Sequence, residues 1–296
     1  LTSGHWTHRP ACQMMVPTKS LAKKERTMEY TTLANGVKMP MLGYGVFQIG
    51  NAETEECVAQ ALHAGYRLID TAQSYGNEGG VGAAIAKSGV PREDLFVVSK
   101  VWVSNYRYED AKRSIDESLA RLGLECLDLM LLHQCYYDVY GAWRALEEAY
   151  AAGKVRAIGV SNFKVHQLKS LMETEIKPMV DQIENHPGFW QPEIIEYCQK
   201  NGILVEAWSP MGSGAVLGNE QMKALADKYG KSVAHMCIRW NLQKNVLPLP
   251  KSVTPSRIID NTKVFDFEIS DADMKAIDAI ENVGYSGNNP DTFDVM

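Results

Sequence analysis

Ionisable side chains end three successive apolar segments of this sequence. Asp70 ends one segment, Lys100 the next and His133 the one after, and Tyr75 follows Asp70 by five residues. A phenol with an ordinary pKa of about 10 is a weak acid–base group at neutral pH, but a neighbouring lysine ammonium favours the phenolate and lowers that pKa. A histidine can donate to a carbonyl oxygen or help to relay a proton. Together these four side chains suit proton delivery to an oxyanion formed by hydride attack.

Each of these residues also has a purely structural interpretation. Asp70 and Lys100 could form an ordinary buried ion pair, and such pairs also perturb pKa values. His133 alone would more often be a core histidine, and Tyr75 could be a loop aromatic beside Gly76. A catalytic interpretation is favoured only because all four residues are expected on one face of the fold. The sequence contains no G-x-S-x-G motif and no cysteine–histidine signature for a strong nucleophile.

Eight short apolar segments, alternating with amphipathic ones, must position these side chains. The predicted strands are 41–47, 67–72, 95–101, 126–133, 155–162, 179–186, 204–210 and 246–251. The predicted helices include 53–63, 108–122, 140–151, 192–200 and 233–243. Strands that alternate with helices indicate a parallel sheet, and near-continuous apolar runs are typical of strands buried on both faces. Eight such units in about 250 residues favour an α/β fold of the closed (β/α)₈, or TIM, barrel type.

A β-hairpin is predicted before the barrel. Residues 31–33 and 37–39 flank Ala34-Asn35-Gly36, and Asn-Gly is the strongest short hairpin signal. The alternative to a barrel is a doubly wound open sheet, which usually carries G-x-G-x-x-G after its first strand. The glycines of GYGVFQIG in the first predicted strand do not have that spacing, so the barrel is favoured.

Composition restricts the partners. The chain of 296 residues is 45% hydrophobic and 22% charged, which is ordinary for a globular protein. Its net charge of −6 argues against a general affinity for nucleic acid or an anionic membrane. No apolar run approaches the length of about 18 residues that predicts a transmembrane helix. We therefore expect a small-molecule partner, with no nucleic acid and no membrane.

The six cysteines have no spacing typical of metal ligands. They predict no metal site and reduced thiols in a cytoplasmic protein. Residues 1–27 lack periodicity and contain a single acidic residue, Glu25. We interpret them as an expression leader or an upstream extension, an organellar transit peptide being the alternative, and expect one barrel domain over 28–296.

The sequence resembles the aldo-keto reductase superfamily over nearly all of residues 28–296. The resemblance rests on three long motifs in the correct order: GYRLIDTAQSYGNE (65–78), GKVRAIGVSNF (153–163) and LPKSVTPSRIIDN (249–261). It implies a TIM barrel and a catalytic tetrad at Asp70, Tyr75, Lys100 and His133, with Tyr75 as the proton donor. It also implies reduction of aldehydes and ketones by hydride from a nicotinamide cofactor.

The resemblance further implies a set of cofactor-binding positions. They are Gly45, Val46, Phe47, Asp70, Ser161, Asn162, Gln182, Trp208, Ser209, Met211, Lys251, Ser252, Arg257 and Asn261. Ser161, Asn162 and Gln182 match residues that hydrogen-bond the nicotinamide carboxamide, and Trp208 matches the aromatic residue that stacks on the nicotinamide ring.

The same resemblance indicates which cofactor is used. Ser209 and Met211 match positions near the pyrophosphate, while Lys251 and Arg257 match positions at the adenosine end. A lysine–arginine pair is what a 2′-phosphate needs, because both side chains form charge-assisted hydrogen bonds with phosphate. We therefore expect NADPH rather than NADH. For the substrate, the matching pocket positions are Phe47, Trp102 and His133.

Several departures from the family pattern bear on the substrate. Gln134-Cys135 stand where many relatives carry Trp-Pro, Asp181 stands where Asn is common, and Asp260 where Glu often contacts the adenine. The short tail resembles compact bacterial-type members related to the 2,5-diketo-gluconate reductases. That resemblance disfavours a steroid substrate and favours small or sugar-derived carbonyls, and the family default is a monomer. The alternative function is a non-catalytic nucleotide-binding sensor or subunit on the same barrel.

Overall fold

The computed structural model describes residues 28–292, and ten strands lie within them. Two form the hairpin, β1 (Tyr30–Thr32) and β2 (Lys38–Pro40). The other eight are β3 (Gly43–Gly45), β4 (Leu68–Asp70), β5 (Phe96–Val101), β6 (Leu129–Leu132), β7 (Ile158–Ser161), β8 (Val180–Glu184), β9 (Leu204–Trp208) and β10 (Val246–Leu249). These eight pair in parallel and in chain order from β3 to β10. The predicted parallel sheet is confirmed.

The first and last strands approach each other and almost close the sheet into a barrel. The Gly45 N–H donates to the Pro250 carbonyl over 3.1 Å, just beyond the end of β10. A Cβ at Gly43 would stand 2.4 Å from side-chain carbons of Leu249 and Leu68, so a larger residue would push this seam apart. The architecture is the predicted (β/α)₈ barrel.

The hairpin lies where Asn-Gly predicted it. Tyr30 pairs with Pro40 and Thr32 with Lys38 in antiparallel register. Gly36 has a φ of +87°, a left-handed conformation that only glycine adopts without strain. The turn between β1 and β2 is therefore encoded locally.

Ten α-helices lie within residues 28–292. They are α1 (Asn51–His63), α2 (Glu78–Lys87), α3 (Tyr108–Leu122), α4 (Val139–Ala151), α5 (Val165–Leu171), α6 (Pro192–Lys200), α7 (Glu220–Tyr229), α8 (Val233–Gln243), α9 (Pro255–Asp260) and α10 (Asp271–Asp278). The five helices predicted by name correspond to α1, α3, α4, α6 and α8. The predicted strands were too long at one or both ends, because flanking residues such as Arg67 and Ser209 lie outside the strand pairing.

One sequence-based expectation is wrong. Cys57, Cys135, Cys198 and Cys237 are free thiols as expected, but Cys126 is disulfide-bonded. Spacing along the chain carries no information about which sulfur atoms meet across a fold, so this bond was not foreseen. The expectation of a leader falls on residues 1–27, outside the described residues. No helix within 28–292 is long and apolar enough to span a membrane.

Candidate functional site

Tyr75 lies on a short 3₁₀ turn, Gln73–Tyr75, immediately beyond β4. Gly76 ends the turn with a φ of +67°, which turns the chain toward α2. The Gln73 amide fixes the turn from one side: it donates to the Ser114 carbonyl and accepts from the Trp102 N–H, at 3.1 and 2.9 Å. Buried polar contacts of this kind hold a loop side chain in one orientation.

Lys100 is the centre of the site. It is fully buried near the end of β5, and its ammonium lies 2.7 and 2.9 Å from the two carboxylate oxygens of Asp70. It also donates to the Thr71 carbonyl at 2.9 Å and lies 3.2 Å from the Tyr75 hydroxyl. A buried ammonium is stable only when it is paired and hydrogen-bonded, and these contacts supply both conditions. Burial lowers the pKa of Lys100, but the Asp70 carboxylate and the Tyr75 hydroxyl together outweigh that effect and raise the pKa overall.

The pKa of Tyr75 differs from the sequence-based expectation. Burial raises the pKa of this phenol, and the lowering effect of Lys100 offsets only part of the rise. The net shift is upward, so the expected downward shift is wrong, although the predicted action of Lys100 has the predicted sign. The reason is that desolvation disfavours the phenolate more strongly than one lysine favours it. At neutral pH Tyr75 therefore carries its proton and can act as an acid.

His133 follows β6 and faces the same site. Its ring centroid lies 5.6 Å from that of Tyr75 and 5.0 Å from that of Trp102, both in edge-on orientation. Burial and, next, the Lys100 charge lower the pKa of His133 well below its ordinary value. The imidazole is therefore neutral at neutral pH, with one N–H to donate. All four residues of the predicted tetrad thus meet at the carboxyl-terminal end of the barrel.

A second group of predicted residues lies beside this tetrad and is joined by hydrogen bonds. The Asn162 amide donates to Ser161 Oγ and to the His133 carbonyl, both at 3.1 Å, and the Trp208 indole N–H donates to Asn162 Oδ1 at 2.9 Å. Gln182 Nε2 donates to Asp70 Oδ2 at 2.9 Å. The amides and the indole therefore form one continuous polar patch with the tetrad.

Backbone strain marks two of these positions. Asn162 and Ser209 have φ values of +64° and +50° where β7 and β9 end. For residues other than glycine this conformation is uncommon, and it concentrates at ligand-binding sites. Ser209 Oγ also accepts from the Ser213 N–H at 2.7 Å. This hydrogen bond joins the two ends of the loop 209–213, which carries Met211.

The segment after β10 presents two exposed cations. Lys251 and Arg257 are both exposed, and neither forms an ion pair with another residue of the described chain. Ser252 accepts a hydrogen bond from the Tyr44 hydroxyl through its carbonyl at 2.6 Å, and Asn261 is buried at the end of α9. Two unpaired cations close together in sequence are free to bind a phosphate.

The mouth of the barrel beside Tyr75 is aromatic. The Phe47 ring is half exposed, with its centroid 4.9 Å from that of Tyr75. Gly45 and Val46 precede it, and their N–H groups bind the Pro250 and Asp70 carbonyls. The Phe47 ring thus packs against Tyr75, while the Trp102 ring packs edge-on against His133.

Sequence reasoning missed one residue of the site, Glu206. It is fully buried on β9, and its Oε2 accepts from Gln182 Nε2 at 2.8 Å. The available signal was a carboxylate in the middle of the apolar strand LVEAW. Within residues 28–292, no group of three or more His, Cys, Asp or Glu side chains could hold a metal ion.

Comparison with known proteins is consistent with this geometry. Residues 41–282 match the model of the aldo/keto reductase family. A glyoxal reductase of Bacillus subtilis is 50% identical over 262 residues, 88% of this chain and 95% of the relative, and a morphine 6-dehydrogenase of Pseudomonas putida is 42% identical over 88% and 94%. The solved structure of an aldo-keto reductase from a deep-sea metagenome superposes with a TM-score of 0.87 at 40% identity, over 90% and 100% of the two chains. A Bombyx mori aldo-keto reductase in complex with NADP gives 0.83 at 31% identity, over 87% and 94%.

Proposed function

The chain belongs to the aldo/keto reductase family, and from that premise we propose that it reduces aldehydes and ketones to alcohols with NADPH, Tyr75 being the proton donor. The contact of Lys100 with both Asp70 and the Tyr75 hydroxyl supports this most directly. A single ammonium stabilises negative charge on the phenol oxygen as its proton leaves. The neutral His133 lies edge-on to the Tyr75 ring and contributes an N–H donor to the same site.

The described residues fit a nicotinamide dinucleotide. Trp208 is half-buried and offers a flat aromatic face, and its indole N–H is hydrogen-bonded to the Asn162 amide. At the other end, Lys251 and Arg257 are unpaired and exposed, as binding of a 2′-phosphate requires. When bound, NADPH supplies the hydride. The chain's own groups hold the ring, orient the carbonyl between Tyr75 and the ring, and provide the proton.

The proton-donor role is tested by Tyr75→Phe. We expect kcat for reduction of a generic aldehyde to fall about 100-fold or more, because a positioned acid contributes about 10²- to 10⁴-fold. The dissociation constant for NADPH should stay within about threefold of wild type, since the hydroxyl is not needed to hold the cofactor. Tyr140→Phe, which removes the hydroxyl of an exposed tyrosine on α4, is the matched control. Full turnover in Tyr75→Phe, with cofactor binding intact, would contradict the assignment.

Cofactor preference is tested by Arg257→Ala. We expect binding of NADPH to weaken about tenfold and binding of NADH to change little, because only NADPH carries the 2′-phosphate. Arg144→Ala, which removes an exposed arginine from α4 far along the chain, is the control. Equal weakening of both cofactors would remove the support for a 2′-phosphate site.

For the substrate we propose small carbonyl compounds. Aromatic side chains surround the proposed donor, with Phe47 against Tyr75 and Trp102 against His133, and one relative at 50% identity is named a glyoxal reductase. A carbonyl panel that includes dicarbonyls, sugar-derived aldehydes and a steroid ketone, assayed with NADPH, tests this. Tight NADPH binding without turnover of any of them would favour the non-catalytic sensor. The cytoplasmic location and the monomeric state stay predictions.

A further inference from the structure

Glu206 is a buried carboxyl that the reaction described above does not use. It lies inside the barrel on β9, opposite Gln182 of β8 and Leu247 of β10 in strand register. Its side chain has no exposed surface, and its Oε1 has no hydrogen-bond partner among the described residues. A buried polar atom without a partner costs free energy. The presence of this unpartnered atom beside the proposed catalytic residues therefore suggests a functional role for Glu206.

The first part of the argument concerns the Gln182 amide. Its nitrogen carries two hydrogens, and both are used: one is donated to Asp70 Oδ2 over 2.9 Å and the other to Glu206 Oε2 over 2.8 Å. With acceptors on both sides of its nitrogen, the amide cannot turn over without losing two hydrogen bonds to carboxyl groups. The amide oxygen is thereby kept as the free acceptor of Gln182.

The second part concerns charge. Two carboxyl groups, Asp70 and Glu206, share this interior with one ammonium, that of Lys100, and with the phenol of Tyr75. The neighbouring strand positions on β8 and β10 contribute the uncharged Gln182 and Leu247. Like charges in one dry site cannot both ionise freely. Burial, and next the Asp70 charge, raise the pKa of Glu206 to about 8.

The charge on Glu206 also reaches Tyr75. A negative charge on Glu206 raises the pKa of the Tyr75 phenol, in addition to the larger effects of burial, Lys100 and Asp70. At neutral pH Glu206 holds its proton, and at higher pH it adds a second negative charge behind Asp70. That charge opposes loss of the Tyr75 proton in the pH range where the donor would otherwise begin to ionise.

We propose that Glu206 is a positioning residue of the reaction, which fixes the Gln182 amide and acts on Tyr75 through Asp70. The proposal rests on the proposed function in assigning Tyr75 the proton and Gln182 a place at the cofactor. Glu206 itself contacts only Gln182 among these residues, so its action on the donor is indirect.

The electrostatic part is tested without turnover, by NMR of protein labelled at the tyrosine Cζ carbon, with Tyr75→Phe to assign the signal. In wild type the Tyr75 signal should shift with an inflection near the Glu206 pKa of about 8. Glu206→Gln should abolish that inflection. Asp181→Asn, which removes another fully buried carboxyl from the adjacent strand, should retain it. Absence of the inflection in wild type, or its survival in Glu206→Gln, would overturn the proposal.

The positioning part is tested by comparing two substitutions in a titration calorimeter with NADPH. Glu206→Gln keeps an oxygen that can accept from Gln182 Nε2, whereas Glu206→Met has nearly the same size and keeps none. We expect about tenfold weaker NADPH binding in Glu206→Met and a change of less than about threefold in Glu206→Gln. Equal binding in both variants and wild type would overturn this part.

The pH dependence of kcat/KM distinguishes the proposed role of Glu206 from a purely structural one, which would leave that dependence unchanged. The alkaline limb of kcat/KM for aldehyde reduction, where Tyr75 loses its proton, should move to lower pH in Glu206→Gln and stay in place in Asp181→Asn. An unmoved limb in Glu206→Gln counts against the proposal. If wild type neither binds NADPH nor reduces carbonyls, the proposed function has failed, and the NMR titration still decides the role of Glu206.

Discussion

Asp128 lies at the amino-terminal end of the barrel and Asp70 at the carboxyl-terminal end, and both carboxylates are buried. Asp128, just before β6, accepts from Arg92 at 2.6 Å, from Arg156 at 2.7 Å and from the Val97 N–H at 2.8 Å. Two guanidinium groups thus balance one carboxylate, and both of its oxygens are satisfied. Such a site holds strands in place and has no group left over for chemistry.

Around Asp70 the carboxyl groups outnumber the cations. One ammonium, Lys100, serves Asp70 and also contacts Tyr75, while the second carboxyl of Glu206 lies behind them. Burial, together with too little positive charge, raises pKa values in this site, as Tyr75 and Glu206 show. The comparison fits the general division of such barrels, with stability at the amino-terminal face and catalysis at the other.

Asp181 extends the comparison to a buried carboxyl with no ion pair within residues 28–292. It is fully buried on β8. Burial raises its pKa well above the ordinary value, and the Phe163 backbone and Lys164 oppose this only in part. The three buried carboxyl groups therefore differ in how many cations pair with them. Asp128 has two and is structural, Asp70 shares one and belongs to a tuned site, and Asp181 has none paired with it among the described residues and is a protonated acid.

The largest predicted effect is at the carboxyl-terminal end. Lys100→Met should lower kcat for aldehyde reduction by about 100- to 10,000-fold, because it removes the cation in contact with the Tyr75 hydroxyl. Steady-state kinetics with NADPH measure this. Lys87→Met is the matched control, since Lys87 is 70% exposed and pairs only with Glu55 at the surface. A loss of less than tenfold in folded Lys100→Met protein would remove the distinction between the two ends.

At the amino-terminal end we expect a substitution to lower stability and to leave activity nearly unchanged. Asp128→Asn should lower the free energy of unfolding by about 2–3 kcal/mol, because a buried charged acceptor of three hydrogen bonds is lost while both arginines keep some access to water. Its kcat/KM should stay within about twofold of wild type. Urea unfolding at pH 7 measures the first quantity and kinetics the second.

A surface aspartate provides the control for that experiment. Asp116 pairs with Lys154, and both side chains are about half exposed. Asp116→Asn should change the free energy of unfolding by less than about 1 kcal/mol, as exposed ion pairs contribute little. If Asp128→Asn is as stable as Asp116→Asn, the amino-terminal site does not have the structural role assigned to it.

The sequence predicted the residues whose position depends on the strand pattern alone. Asp70, Lys100 and His133 lie at or just beyond the ends of consecutive parallel strands, and parallel strands bring their ends to one face. The hairpin turn at Gly36 was equally local, because it depends on one left-handed residue. Where the period of the pattern and a turn residue decide the structure, sequence reasoning succeeded.

It failed where the answer depends on contacts across the barrel. The pairing of Gln182 with Glu206 joins two strands through side chains that no spacing connects. Predicting the direction of the Tyr75 pKa shift requires the degree of burial of the phenol, which a loop sequence does not reveal. The bond at Cys126 likewise depends on which sulfur atoms meet in space.

The smallest predicted effect concerns Asp181 and depends on pH. Its folded-state pKa is raised, so its contribution to stability is complete below the unfolded pKa of about 3.9 and is lost as pH rises toward the folded value. Asparagine does not titrate, so Asp181→Asn should gain on the order of 1 kcal/mol over wild type between pH 4 and pH 5. Urea unfolding at both pH values measures the gain, with Asp116→Asn as the control. A difference between Asp181→Asn and wild type that is the same at both pH values would show that Asp181 is ionised in the folded protein, and that a cation in its surroundings balances it after all.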